Sequence, residues 1–319
     1  MRHETGNRKQ EHVTVSSRDP KTAVGRGSYS TDHLSCLLSS AAFCRRVSLR
    51  SHSSFRFAFL RLPPPKRDAM HALYAFLRAT DDLSDEPGEP EAKQTALQGW
   101  RTRLDLALAG VFTHRCHVAL HHTVHTFGIP SECLYAVIDG CESDLEPVRF
   151  ECFEQLRMYC HQVASSVGQA CIRIWGLKRG VSFEQAESFA ETAGYAFQLT
   201  NALRDLGEDL AHGRVYLPAD ELTRFDCPPE RWHDPQYALR FLALMRFQVN
   251  RAREFYRHSE PLADLLTPEG RATFTLMADT YRGLLDRIEA AGYDVLSRRV
   301  RLSRWQKLRL IAQTWRPGR

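Results

Sequence analysis

The chain has 319 residues, 43% hydrophobic and 25% charged, a globular composition that excludes a disordered or fibrous protein. Its formal net charge of +5 is spread over Arg-rich segments and not gathered in one tail, so nucleic acid is not implied as a partner. No stretch approaches the roughly 18 uninterrupted apolar residues of a membrane-crossing helix, which leaves only peripheral contact with lipid.

Residues 1–38 are polar, lack the apolar core of a secretory signal, and are expected to be a disordered extension. From 39 to 319 apolar residues return at three and four positions, the helical period, with few strand-like alternations. Breaks are expected at Pro63-Pro64-Pro65, Glu86 to Pro90, Gly128-Ile129-Pro130, Glu146-Pro147, Gly176 to Gly180 and Asp226 to Pro229. With no linker inside it, the pattern predicts a single all-α domain. Nine cysteines, an odd number without a Cys-x-x-Cys pair, point to reduced thiols and a cytoplasmic chain.

The segment from His71 to Asp85 contains no Gly or Pro, so a continuous helix is expected there. At about 100° per residue, Tyr74, Arg78, Asp81 and Asp85 share a sector of roughly 60°. Asp81 and Asp85 are like charges one turn apart, which costs a helix about a few tenths of a kcal/mol unless a cation neutralises them. Between Gly194 and Asp209, a second stripe holds Gln198, Asn201, Asp205 and Asp209, with Glu208 beside it. Gly213 is placed to end that helix, after which Arg214 and Tyr216 fold back toward the acids. Oxygen-only donors suit a hard cation such as Mg²⁺, which takes one or two carboxylates plus phosphate and water oxygens. Two such stripes facing each other would bind diphosphate through bridging Mg²⁺.

These residues resemble a known family. Ser53 to Phe59 with Leu62-Pro63, Tyr74 to Arg78 and Asp81-Asp-Leu-Ser-Asp85 are similar to the opening of squalene and phytoene synthases. Asn201-Ala-Leu-Arg-Asp-Leu-Gly-Glu-Asp209 and Gly213 to Pro218 resemble that family's second signature, and the likeness runs from about Cys44 to Trp315. The resemblance implies an isoprenoid synthase helical bundle around a central apolar cavity. Its reaction is a head-to-head condensation: one prenyl diphosphate loses diphosphate, the C2=C3 bond of the other attacks the allylic cation, and loss of a proton closes a cyclopropane.

Carried over by position, the resemblance implies two or three Mg²⁺ ions held with diphosphate by Asp81, Asp85, Asn201, Asp205 and Asp209, supported by Asp82 and Glu208. Gln198 lines the same face. Arg78, Arg204, Arg214 and one of Arg298 or Arg299 are expected on diphosphate, where the bidentate guanidinium is suited. Tyr74, Tyr216 and Tyr281 match active-site tyrosines, and Phe55 and Phe59 match aromatics flanking the cation. Val163 to Gly168 reads either as close helix packing or as tunnel wall, with Val167, Gly168 and Cys171 facing the prenyl chain.

Asp139 to Arg149 and the segment from Gly292 look most like bacterial presqualene diphosphate synthases, implying two farnesyl diphosphates as substrates. Phytoene synthase, with two geranylgeranyl diphosphates, is the nearest alternative, and NADPH enters only for a full squalene synthase. The four principal aspartates oppose a non-catalytic assembly role, and Asn-x-x-x-Asp-x-Gly-Glu-Asp opposes a chain elongase or terpene cyclase. The basic run Arg298 to Arg309 reads as an amphipathic helix with a solvated face, or as a surface drawn to diphosphate or to the inner face of an anionic membrane. His117, His121 and His125 recur at four-residue spacing near His114 and His122; with no thiol or carboxylate arranged beside them, they read as a solvated helix face.

Overall fold

The triple proline starts a helix instead of breaking one. Proline in a first turn forfeits an N–H that has no intrahelical partner anyway, and in the computed structural model α2 runs Pro64–Asp85. The same device opens α3, Pro90–Leu108, and α12, Pro268–Ala290. The structure describes residues 31–51, 54–146 and 148–302, and the side chains at 31–33 and 54–56 lie outside the described set.

α1, Thr31–Arg50, begins inside the stretch expected to be a disordered extension, which corrects that boundary. Leu37, Phe43, Cys44 and Val47 give it one apolar face on the core, and Ser40 ties it to α4 by donating to the Arg115 carbonyl at 2.6 Å. A 3-10 helix, Ser54–Arg61, leads into α2. Then come α4, His117–Phe127, and α5, Ser131–Ser143. α6, Phe153–Cys160, runs through a π-helical turn, His161–Ser165, directly into α7, Ser166–Trp175. α8, Phe183–Ala211, starts at a capping box in which Ser182 and Gln185 each satisfy the other's backbone N–H. α9 (Ala219–Arg224), α10 (Ala238–Ser259) and α11 (Leu262–Leu265) complete the order before α12.

The breaks expected at Gly128 to Pro130 and Gly176 to Gly180 fall between elements, and those at Pro63 to Pro65, Glu86 to Pro90 and Asp226 to Pro229 run into the helices that their prolines open; the turn after α3 at Gly110 and the turn at Pro261 were not anticipated. Among the described residues there is no strand, only isolated bridges, and no helix is long and apolar enough to cross a membrane. The core has two parts: one gathers α1 to α5 with α7, the other α6, α10 and the end of α12. α8 divides them, with Phe197 packed against both. Burying side chains such as Phe76 and Leu73 contributes ~1.5–3 kcal/mol each.

Two glycines let the central helices approach. A Cβ on Gly194 would lie 2.5 Å from the Ser165 Cα, and one on Gly168 would lie 2.9 Å from the Ala190 carbonyl oxygen. The π turn is therefore pressed onto α8, which turns Val163, Ala164 and Val167 toward the space between α2 and α8.

Candidate active site

A cavity of ≈ 400 Å³ occupies that space. Its walls are apolar: Phe59 and Leu73 on one side, Val163, Val167, Gly168 and Cys171 opposite, and Phe197 from α8. The small residues of Val163 to Gly168 thus both pack closely and line the cavity. Tyr74, Arg78, Asp81 and Asp85 from α2, with Gln198 and Asn201 from α8, also line it, as the helical period requires of residues one turn apart.

Carboxylates crowd this polar lining. Burial and the neighbouring Asp85 raise the Asp81 pKa to about 7. On the facing helix end, burial and Asp205 raise that of Asp209 to about 7 as well. Asp144, at the end of α5, joins the two: Asp85 and Asp209 both act on it electrostatically. Tyr159 donates to Asp144 Oδ2 at 2.8 Å and Tyr216 to its Oδ1 at 2.9 Å. Tyr159 lines the cavity and was not singled out in the sequence, and Asp144 entered only within the segment Asp139 to Arg149, with no site role of its own. A carboxylate at a helix C-terminus opposes the macrodipole, and this was the available signal that Asp144 is there for another purpose.

The arginines stand around the acids. Arg78 pairs with Asp82, which places Asp82 outside the cavity lining. Gly213, at φ 73°, turns the chain after α8, and Arg214 comes within 3.8 Å of Asp85, joining the two segments. Arg204 Nε lies 2.8 Å from Asp205 Oδ1 and is hydrogen-bonded to the buried Tyr281. Arg299 reaches both Asp205, at 2.7 Å, and Glu208, at 3.0 Å. Arg298 instead acts electrostatically on Asp294. Arg299 gets there because the segment after α12 crosses α8 at Gly207, where a Cβ would lie 2.9 Å from the Val295 carbonyl oxygen. The Phe55 side chain and the basic run beyond Leu302 lie outside the described residues.

The residues present fit a hard divalent cation. The polar donors that α2 and α8 give to the lining include the carboxylate and amide oxygens of Asp81, Asp85, Gln198 and Asn201, and Asn201 Oδ1 is buried with no hydrogen-bond partner while its amide nitrogen donates to Gln198 Oε1 at 3.3 Å. An orphaned carbonyl oxygen beside crowded carboxylates is what a bound cation would satisfy.

The histidine row departs from expectation. His117 is fully buried, not solvated, and Cys116 supplies a thiol 3.1 Å from His114 Nδ1. Only His125 of the three on the stripe is exposed.

Residues 49–306 match the family model described as squalene/phytoene synthase. The chain belongs to that family. As a member it is a prenyltransferase, and the family's reaction is head-to-head condensation of prenyl diphosphates. It is 33% identical over 282 residues to a 15-cis-phytoene synthase of Synechocystis, covering 85% of this chain and 83% of the relative. A 15-cis-phytoene synthase of Synechococcus elongatus is also 33% identical, over 83% of this chain and 89% of its own. Among solved structures, a dehydrosqualene synthase matches with TM-score 0.80 at 27% identity, covering 89% of this chain and 98% of that one. A squalene synthase of Alicyclobacillus acidocaldarius matches with TM-score 0.73 at 27% identity, covering 81% and 95%. The all-α isoprenoid synthase fold is therefore as expected. The lean toward presqualene diphosphate is not: these sequence relatives are phytoene synthases, and they support the twenty-carbon alternative better.

Proposed function

We propose that this squalene/phytoene synthase family member joins two geranylgeranyl diphosphates head to head, as a phytoene synthase. The observation that carries the reading is an apolar cavity whose polar lining holds Arg78, Asp81 and Asp85 from α2, Asp144 after α5, and Gln198 and Asn201 from α8, with Arg214 near Asp85 and Arg299 on Asp205. The phytoene synthase names of relatives 33% identical support the twenty-carbon donor.

Asp81, Asp85, Asn201, Asp205 and Asp209 would hold Mg²⁺, with Asp82 and Glu208 as supporting acids. When bound, Mg²⁺ supplies Lewis-acid polarisation of the diphosphate leaving group. The chain's own residues do the rest. Arg204, Arg214 and Arg299 take up negative charge as the C–O bond breaks and diphosphate departs. The walls from Leu73, Val167 and Phe197 keep water from the allylic cation, and the Phe59 and Phe197 rings offer their negative faces to it. Tyr159 and Tyr216, whose O–H groups point at Asp144, can each pass that O–H proton to the Asp144 carboxylate as the phenol oxygen takes up the proton lost on ring closure.

A fifteen-carbon reading has one support, the likeness to dehydrosqualene and squalene synthase structures. Incubating the protein with Mg²⁺ and geranylgeranyl or farnesyl diphosphate, with and without NADPH, separates the two. Phytoene as the main product is expected; presqualene diphosphate or squalene from farnesyl diphosphate alone overturns the donor assignment. Peripheral docking on an anionic membrane belongs to the same reading, since α1 exposes Leu34, Leu38 and Leu49 among Arg45, Arg46 and Arg50.

A further inference from the structure

Away from the acid stripes, the turn leading into α4 gathers soft-ligand side chains. Cys116 and His117 are fully buried and His114 is half-buried. One ligand atom from each lies within 4.8 Å of the others, with His114 Nδ1 at 3.1 Å from Cys116 Sγ. Trp100 covers both imidazoles at centroid distances of 5.1 and 5.3 Å, and Phe43 closes on His114 at 5.8 Å.

Hydrogen bonding within the protein accounts for only part of these rings. His117 Nδ1 accepts from the Thr113 and His114 N–H groups at 3.4 and 3.2 Å and His114 Nδ1 from the Cys116 N–H at 3.3 Å, at or past the long end of the usual range, while His117 Nε2 is buried with no partner. A buried polar atom left in this way is rare and calls for an explanation.

We propose that His114, Cys116 and His117 bind a thiophilic transition ion of the Zn²⁺ class, with its fourth position open to water beside half-buried His114, at a site separate from the diphosphate cavity. Thiol and imidazole donors select a soft or borderline ion, and three protein ligands with one water complete the tetrahedral shell of Zn²⁺. The charged groups felt by His114, Cys116 and His117 are Arg103, Arg115 and Cys44, with no carboxylate among them, so a hard cation such as Mg²⁺ finds no donor. Burial keeps both imidazoles neutral, with a lone pair to give. On loading, the Cys116 thiol gives its proton to water as its S–metal bond forms, and each imidazole gives a ring-nitrogen lone pair to the ion.

The test uses the full chain, reduced and saturated with Mg²⁺ so that the acid stripes are filled, titrated with Zn²⁺ and separately with Co²⁺. A single Zn²⁺ equivalent and a cobalt–thiolate charge-transfer absorption are expected in the wild type. Cys116→Ser should abolish the absorption, and both it and His114→Gln should weaken Zn²⁺ binding by at least about 100-fold, the upper end for loss of even a supporting contact. Half-buried His114 carries the test if Cys116→Ser does not fold. Absence of the cobalt–thiolate absorption in the wild type, or equal Zn²⁺ binding by wild type and His114→Gln, would overturn the site.

Discussion

Arg299 closes on Asp205 as a two-point clamp, with Nε 2.7 Å from Oδ1 and Nη2 3.0 Å from Oδ2. Arg204 holds the same carboxylate from the other side. Asp205 is thus neutralised by the protein itself, and a cation entering the second stripe has to displace a guanidinium. Removing Arg299 should therefore tighten Mg²⁺ binding in the absence of diphosphate by about fivefold, the scale of a partly exposed ion pair, and weaken diphosphate binding in the presence of Mg²⁺. Titration calorimetry of Arg299→Ala with each ligand checks both signs. Mg²⁺ affinity that falls in the variant would contradict the displacement.

The raised carboxyls give the metal-free protein a pH dependence with a definite sign. Asp81 and Asp209 have pKa values near 7 in the fold against 3.8 unfolded, so the native state holds their protons more tightly. Their contribution to stability is full below about pH 4 and is lost as pH rises through about 7. Bound Mg²⁺ needs the ionised forms and relieves the repulsion. The rise in Tm on adding Mg²⁺ should grow between about pH 5.5 and pH 8; an increment that shrinks over that range would oppose the assignment of these acids.

Gly194→Ala forces a Cβ into the Ser165 backbone and should lower stability by ~1–3 kcal/mol. Gly99, exposed in α3 with nothing within 4 Å of a Cβ, is the control: alanine there should raise stability by ~0.5–1 kcal/mol. Urea midpoints of the two variants should move in opposite directions.

Asp144→Asn leaves volume unchanged but replaces a carboxylate that accepts from two phenols with an amide that can accept from them only through one oxygen. One of Tyr159 and Tyr216 then loses its fixed orientation, and turnover should fall by about 100-fold, the cost of a displaced reacting group, while circular dichroism stays that of the wild type. Unchanged turnover would remove Asp144 from the site.

What could be read along the chain was whatever one helix carries by itself. Tyr74, Arg78, Asp81 and Asp85 share a face because of the helical period alone, and so do Gln198 and Asn201. Asp144 and Tyr159 belong to the same site through the packing of α5 on α2 and the π turn and of α6 on α8, and no spacing in the sequence relates them. Choosing Arg299 over Arg298 required the path of the segment after α12, which Gly207 sets. The histidine row was misjudged because its face on α4 is met by Trp100 from α3, a contact between distant residues.

The most direct measurement is turnover of geranylgeranyl diphosphate with Mg²⁺ by Asp81→Ala and Asp205→Ala, one from each stripe, alongside their thermal unfolding. Both should lose turnover by roughly 1000-fold, the upper range for removing one element of electrostatic stabilisation, while remaining folded. Full turnover in either folded variant would contradict a metal and diphosphate site built from the two aspartate stripes.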